Sequence, residues 1–72
     1  MARTTLSVPD ISCEHCERTI TEALRPLEGV KSVRVEIPEK RVHVEYDEST
    51  VGVDRFKEVL QEEEYPVESV TG

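Results

Sequence analysis

Hydrophobic positions along this chain switch between two periods, and the switches divide it into six elements. Residues 4–9, "TTLSVP", alternate. Leu6 and Val8 fall on one side and Thr5 and Ser7 on the other, which predicts a short strand. Pro9 has no N–H to give a ladder and ends it. From Cys16 the period lengthens. Cys16, Ile20, Ala23, Leu24 and Leu27 form one helical stripe, while Glu14, Glu17, Arg18, Glu22 and Arg25 lie largely off it. Ser12 is the expected N-cap, and Pro26 and Gly29 place the helix end near residues 25–28.

Alternation then returns twice. Val33, Val35 and Ile37 share one face, with Arg34 and Glu36 opposite. Val42, Val44 and Tyr46 share another, with Arg41, His43 and Glu45 opposite. "PEK" (38–40) joins the two runs as a turn. This is a hairpin with one dry face and one solvated face. After a loop at 47–52, Val53, Phe56, Val59 and Leu60 outline a second helix, capped by Gly52 or Thr50 and ending in the acidic run 62–64. Residues 65–70, with Val67 and Val70, give a weak last strand. The order β-α-β-β-α-β, with dry strand faces and two amphipathic helices, predicts an α+β fold of the ferredoxin-like kind. It is a four-stranded antiparallel sheet with both helices on one face.

Composition narrows the functional classes. A chain of 72 residues makes one domain, spanning 1–72, with a thin core. Nine Lys and Arg against sixteen Asp and Glu give a net charge of −7. Such a surface repels phosphate and anionic lipid, so nucleic acid and membrane are poor partners and a basic protein surface is a better one. No apolar run approaches the roughly 20 residues of a membrane span. The opening "MARTTLSVP" lacks the apolar stretch of a secretory signal, so a cytoplasmic location is expected.

The candidate chemistry sits in "ISCEHCERTI" (11–20), which holds both cysteines of the chain, Cys13 and Cys16. In a reducing compartment two cysteines point to catalysis or metal before a structural disulfide. At a loop-to-helix junction the helix dipole favours thiolate, with Glu14 and Glu17 opposing and a protonated His15 assisting. Two thiolates suit a soft, low-coordinate ion such as Cu(I). Zinc asks for three or four protein ligands. His43 is expected on the face of the sheet away from the helices, out of reach. The alternatives left open by the residues are a pair of half-buried structural cysteines, another soft or borderline metal, and a thiol oxidoreductase. Tyr65 either closes the end of the sheet or lies near the cysteine loop.

These residues resemble the heavy-metal-associated domain of small bacterial copper chaperones of the CopZ type. The same domain is found at the amino terminus of copper-transporting P-type ATPases. Ser12, Cys13, Cys16, Ala23, Leu24, Gly29, Val30, Val33, Val35, Val42, Val44, Tyr46, Asp47 and Tyr65 match the family pattern. The resemblance implies Cu(I) held by Cys13 and Cys16, one ion per monomer or bridging a homodimer, and passed to an ATPase metal-binding domain by thiolate exchange. It implies that His15 and Tyr65 tune the site. Two departures stand at its start. Ile11 replaces the family's Met and is expected to fill the same hole. Asp10 replaces its Gly and brings a carboxylate near the site, which raises Zn(II) or Cd(II) as the ion. Glu64 replaces the Gly before the tyrosine, and a less compact loop is expected there.

Overall fold

The alternating segments pair into one sheet. The computed structural model describes residues 2–12 and 14–71. Its elements are β1 (Ala2–Ser7), α1 (Glu14–Leu24), β2 (Val30–Glu36), β3 (Arg41–Tyr46), α2 (Val53–Glu62) and β4 (Ser69–Thr71). The strand order is β2-β3-β1-β4, antiparallel throughout. The fold is the expected ferredoxin-like sandwich.

Register explains which side chains are dry. Leu6 lies opposite Val42, and Thr4 opposite Val44. Val44 also faces Val33, and Val42 faces Val35. These residues share one face of the sheet, which the helices cover. Cys16, Ile20 and Leu24 of α1 and Phe56 and Leu60 of α2 are buried against it. Each large aliphatic or aromatic side chain so buried contributes about 1.5–3 kcal/mol. Phe56 meets Tyr46 edge-to-face, with ring centroids 5.1 Å apart and planes at 87°, a favoured aromatic geometry. Thr4 is the polar exception in this layer. Its hydroxyl donates to the Thr71 carbonyl at 3.5 Å, which lets it lie 3% exposed.

Several boundaries differ from the sequence expectation. β1 spans 2–7 rather than 4–9. Val8 leaves the strand, yet its N–H still donates to the Lys40 carbonyl at 2.9 Å. α1 stops at Leu24, because Pro26 disfavours helical backbone at Arg25 and has no N–H for the next bond. Leu27 therefore sits in a turn, half-buried against the core. Ile37 belongs to the turn rather than to β2, and its carbonyl accepts Lys40 N–H at 3.1 Å across Pro38 and Glu39. The last strand is shorter and later than 65–70. Val67 packs against the core ahead of it, and Val70, opposite Leu6, is 39% exposed at the sheet edge.

Of the two N-cap expectations, that for α1 changes and that for α2 resolves to Gly52. α1 begins at Glu14, so Ser12 lies one residue too early to cap it. Gly52 is the N-cap of α2 and has no side chain to offer its N–H groups. Thr50 instead donates to Asp47 at 3.4 Å. Asp47 organises that loop by accepting from the Ser49 hydroxyl at 2.6 Å and the Ser49 N–H at 3.0 Å. These bonds hold its carboxyl below the usual aspartate range.

Gly29, Lys40 and Glu64 have left-handed backbone. Gly29 has φ +93°, and a Cβ there would come within 2.9 Å of Thr50 Cβ and 3.0 Å of Val51 Cγ1. Its carbonyl also accepts Asp47 N–H at 2.7 Å. Glu64 has φ 68°. Tyr65 N–H reaches back to the Leu60 carbonyl at 2.8 Å, and Glu64 N–H to the Gln61 carbonyl at 3.1 Å. That is the Schellman closure of α2, with Glu where Gly is usual. The loop keeps its compact turn and bears the backbone cost instead.

Gly29→Ala should lower unfolding free energy by about 2–4 kcal/mol, from the strained φ and the clash together. A urea midpoint unchanged from the parent would refute the close approach. Glu64→Gly should raise stability by about 0.5–1 kcal/mol by removing the left-handed cost. Thermal unfolding measures this, and a loss would show that Glu64 is not strained.

Candidate metal centre

The link from β1 to α1 is short and anchored at both ends. Val8 and Ile11 are fully buried, and Ile11 N–H donates to the Val8 carbonyl at 3.2 Å. Pro9 and Asp10, between them, form an exposed turn. Ile11 thus fills the hole expected of it, and its burial fixes where the chain enters α1.

Cys16 lies in the first turn of α1 on the helix's buried stripe and is 7% exposed. Its sulfur faces the loop just described. The thiol donates to the Asp10 carbonyl at 3.9 Å, and the Ser12 hydroxyl lies 3.7 Å from the sulfur. The two contacts respond oppositely to loss of the proton. A carbonyl repels a thiolate, whereas a hydroxyl can turn and donate to it. The N–H groups of the first helical turn add positive potential, and Glu14 and Glu17 work against it.

The remaining predicted site residues distribute around this sulfur. Cys13 lies outside the described residues. Asp10 touches Cys16 through its main chain, while its side chain is exposed. Ser12 is exposed beside the sulfur. His15 is exposed in the first turn of α1, and its carbonyl accepts the Thr19 hydroxyl at 3.0 Å. Tyr65 is half-buried and packs on the core cluster that includes Cys16. Its loop is tied to the end of β1, since Glu68 N–H donates to the Ser7 carbonyl at 2.7 Å.

His43 is where the alternation places it, on the solvated face of the sheet. Its Nδ1 is 3.1 Å from the Thr5 hydroxyl, and its Nε2 is 3.4 Å from the Glu36 carboxylate. This hydroxyl–imidazole–carboxylate line across β1, β3 and β2 was not anticipated. The signal was present in the register, because Thr5 faces His43 and Glu36 lies diagonal to it, opposite Arg41. The pairing itself is not readable from one strand alone.

The family model for the heavy-metal-associated domain matches residues 5–66. The chain belongs to that family. The domain is 39% identical to the copper chaperone CopZ of Staphylococcus epidermidis over 93% of its own length and 98% of the relative's. Among solved structures it is similar to oxidized MerP from Ralstonia metallidurans, with TM-score 0.91, 30% identity and coverage of 99% and 97% of the two chains. It is also similar to the yeast copper transporter domain Ccc2a, solved in apo and Cu(I)-loaded states. There the TM-score is 0.87, the identity 26% and the coverage 97% and 94%.

Ile11→Ala should cost the domain about 2–4 kcal/mol, as for other buried large-to-small changes. It should also speed amide exchange at residues 10–12 more than in the sheet. Equal acceleration everywhere would show that Ile11 supports the core at large and not this loop.

Proposed function

We propose that this domain is a cytoplasmic Cu(I) metallochaperone. Cys13 and Cys16 hold the ion through their sulfurs and pass it to the metal-binding domain of a copper-transporting P-type ATPase. The reading is carried by the Cys16 sulfur, held in the first turn of α1 against the β1–α1 loop, three positions after Cys13. The CopZ relative, named a copper chaperone, supports it. The likeness to Ccc2a, a copper transporter domain solved in apo and Cu(I)-loaded states, supports a recipient of the same fold.

The donor set favours a soft ion. His43 is engaged on the opposite face of the sheet, which leaves the two sulfurs as the candidate ligands. Two thiolates satisfy Cu(I) and fall short of an ordinary zinc site. Ser12 serves as the hydroxyl that steadies the Cys16 thiolate, and His15 and Tyr65 tune the rim. The exposed Asp10 carboxylate is the group through which Zn(II) or Cd(II) would compete, whereas Hg(II), a soft ion, would compete at the sulfurs themselves.

Transfer is ligand exchange. A recipient thiolate adds to two-coordinate Cu(I), giving a three-coordinate ion. One donor sulfur then leaves and takes a proton from solvent; a second recipient thiolate adds in its place, and the second donor sulfur leaves in the same way, so the ion ends on two recipient sulfurs. No electron moves, so copper stays Cu(I), and the protein is a carrier rather than an enzyme. Among the described residues no helix is long and apolar enough to cross a membrane, which fits docking onto a recipient's soluble domain.

Native mass spectrometry of the reduced protein with limiting Cu(I) should show one ion per monomer, or one bridging two monomers. Cys13→Ser and Cys16→Ser should each fail to retain Cu(I) against a chelator that leaves the parent loaded. Full retention in both variants would sink the proposal. Preferential loading with Zn(II) in direct competition would move the assignment to a borderline metal.

A further inference from the structure

The open face of the sheet carries a concavity of about 500 Å³, whose lining includes Thr5, Arg34, Glu36 and His43. Three of these stand in a line. The Thr5 hydroxyl is 3.1 Å from His43 Nδ1, and His43 Nε2 is 3.4 Å from Glu36 Oε1. The second spacing is long for an N–H···O hydrogen bond, which runs at about 2.7–3.2 Å. It is the spacing of two ligands on one ion. A nitrogen and an oxygen each about 2.1 Å from a metal, at a tetrahedral angle, lie about 3.4 Å apart. Both side chains are half-buried, so they are held in place and still reachable from water. Thr5 supplies the support that a ligating histidine needs behind it. Its oxygen can accept a proton carried on Nδ1, which leaves the Nε2 lone pair on the Glu36 side.

We propose that His43 and Glu36 form a second metal site, for a borderline divalent cation such as Zn(II). Imidazole with carboxylate is a harder donor set than two thiolates, so the site takes a different class of ion from Cu(I). Among the described residues no third His, Cys, Asp or Glu completes a cluster. Zinc takes four ligands, so water fills the remaining positions, and the ion is held loosely and exchanges. Arg34 is the cation that opposes it most directly, since it lies opposite His43 in register and 3.8 Å from the same Glu36 oxygen. Its side chain is 79% exposed, and such exposed pairs hold weakly, so it can swing into solvent. The other cations of this face have carboxylates beside them. Arg41 is 3.9 Å from Glu39, and Arg3 lies opposite Glu45. The site uses neither cysteine, so it stands or falls apart from the thiol chemistry.

The test is a Zn(II) titration of isotope-labelled protein carrying Cys13→Ser and Cys16→Ser, read by NMR of the imidazole nitrogens and the amides. His43 Nε2 should move to the position of a metal-bound nitrogen while Nδ1 keeps its proton. Amide changes should gather at residues 5, 34–36 and 43. Added to this background, His43→Gln should weaken binding at least about tenfold. Glu36→Gln should weaken it severalfold, Arg34→Gln should tighten it, and His15→Gln should leave it unchanged. Mg(II) at equal concentration should not displace the zinc. Should the cysteine-free protein unfold, the reduced parent is titrated beyond its first equivalent of Zn(II) and the same His43 signals are read. No change at His43 in millimolar Zn(II), ligation through Nδ1, changes confined to residues 10–17, or undiminished binding by His43→Gln would each overturn the proposal.

Discussion

A single layer of side chains between one face of a sheet and two helices carries this fold. A chain of 72 residues has no room for a second layer. Every inward position therefore counts, and strand parity decides which positions those are. Leu6, Val42 and Val44 on the sheet meet Ile20, Leu24, Phe56 and Leu60 on the helices. One residue of slip in β3 would exchange Val42 and Val44 for Arg41, His43 and Glu45. The sheet, the seating of α1 and the place of Cys16 all follow from that single constraint.

The sulfur inherits its position from apolar packing. Ile11 is buried where the family pattern has Met, and it holds the loop whose Asp10 carbonyl and Ser12 hydroxyl approach Cys16. Cys16 itself shares the stripe of Ile20 and Leu24. A reactive group is thereby kept in place by contacts that have no chemistry of their own. Among the described residues, the Asp10 carbonyl and the Ser12 hydroxyl approach the sulfur at 3.9 and 3.7 Å, distances ordinary for sulfur contacts.

The fold was legible in the sequence because hydrophobic period reports burial directly. The six elements, the inward faces of β2 and β3, and the outward His43 all came from that signal. Where the reading missed, a different interaction governed. Pro26 ended α1 ahead of Leu27, although Leu27 continues the apolar stripe and does pack on the core. Val67 looked like strand but is half-buried in irregular backbone, and β4 forms later from Ser69 to Thr71. Ser12 looked like a cap, and its hydroxyl instead approaches a sulfur four residues on. Composition named the thiols, but only coordinates show that Asp10 meets Cys16 by its carbonyl. Glu64 is the reverse case. Its left-handed backbone is invisible in composition, yet the α2 closure it completes is ordinary.

The Thr5–His43–Glu36 line has a meaning beyond its own hydrogen bonds. The pleat of β3 keeps the His43 imidazole on the open side of the sheet, while Cys16 packs on the covered side. Bringing a histidine of β3 across would require position 42 or 44, each of which holds a valine with almost no exposure. Such a move would mean surrendering core. The sheet thus holds the histidine of β3 and the thiol of α1 apart by packing alone, without any group placed between them.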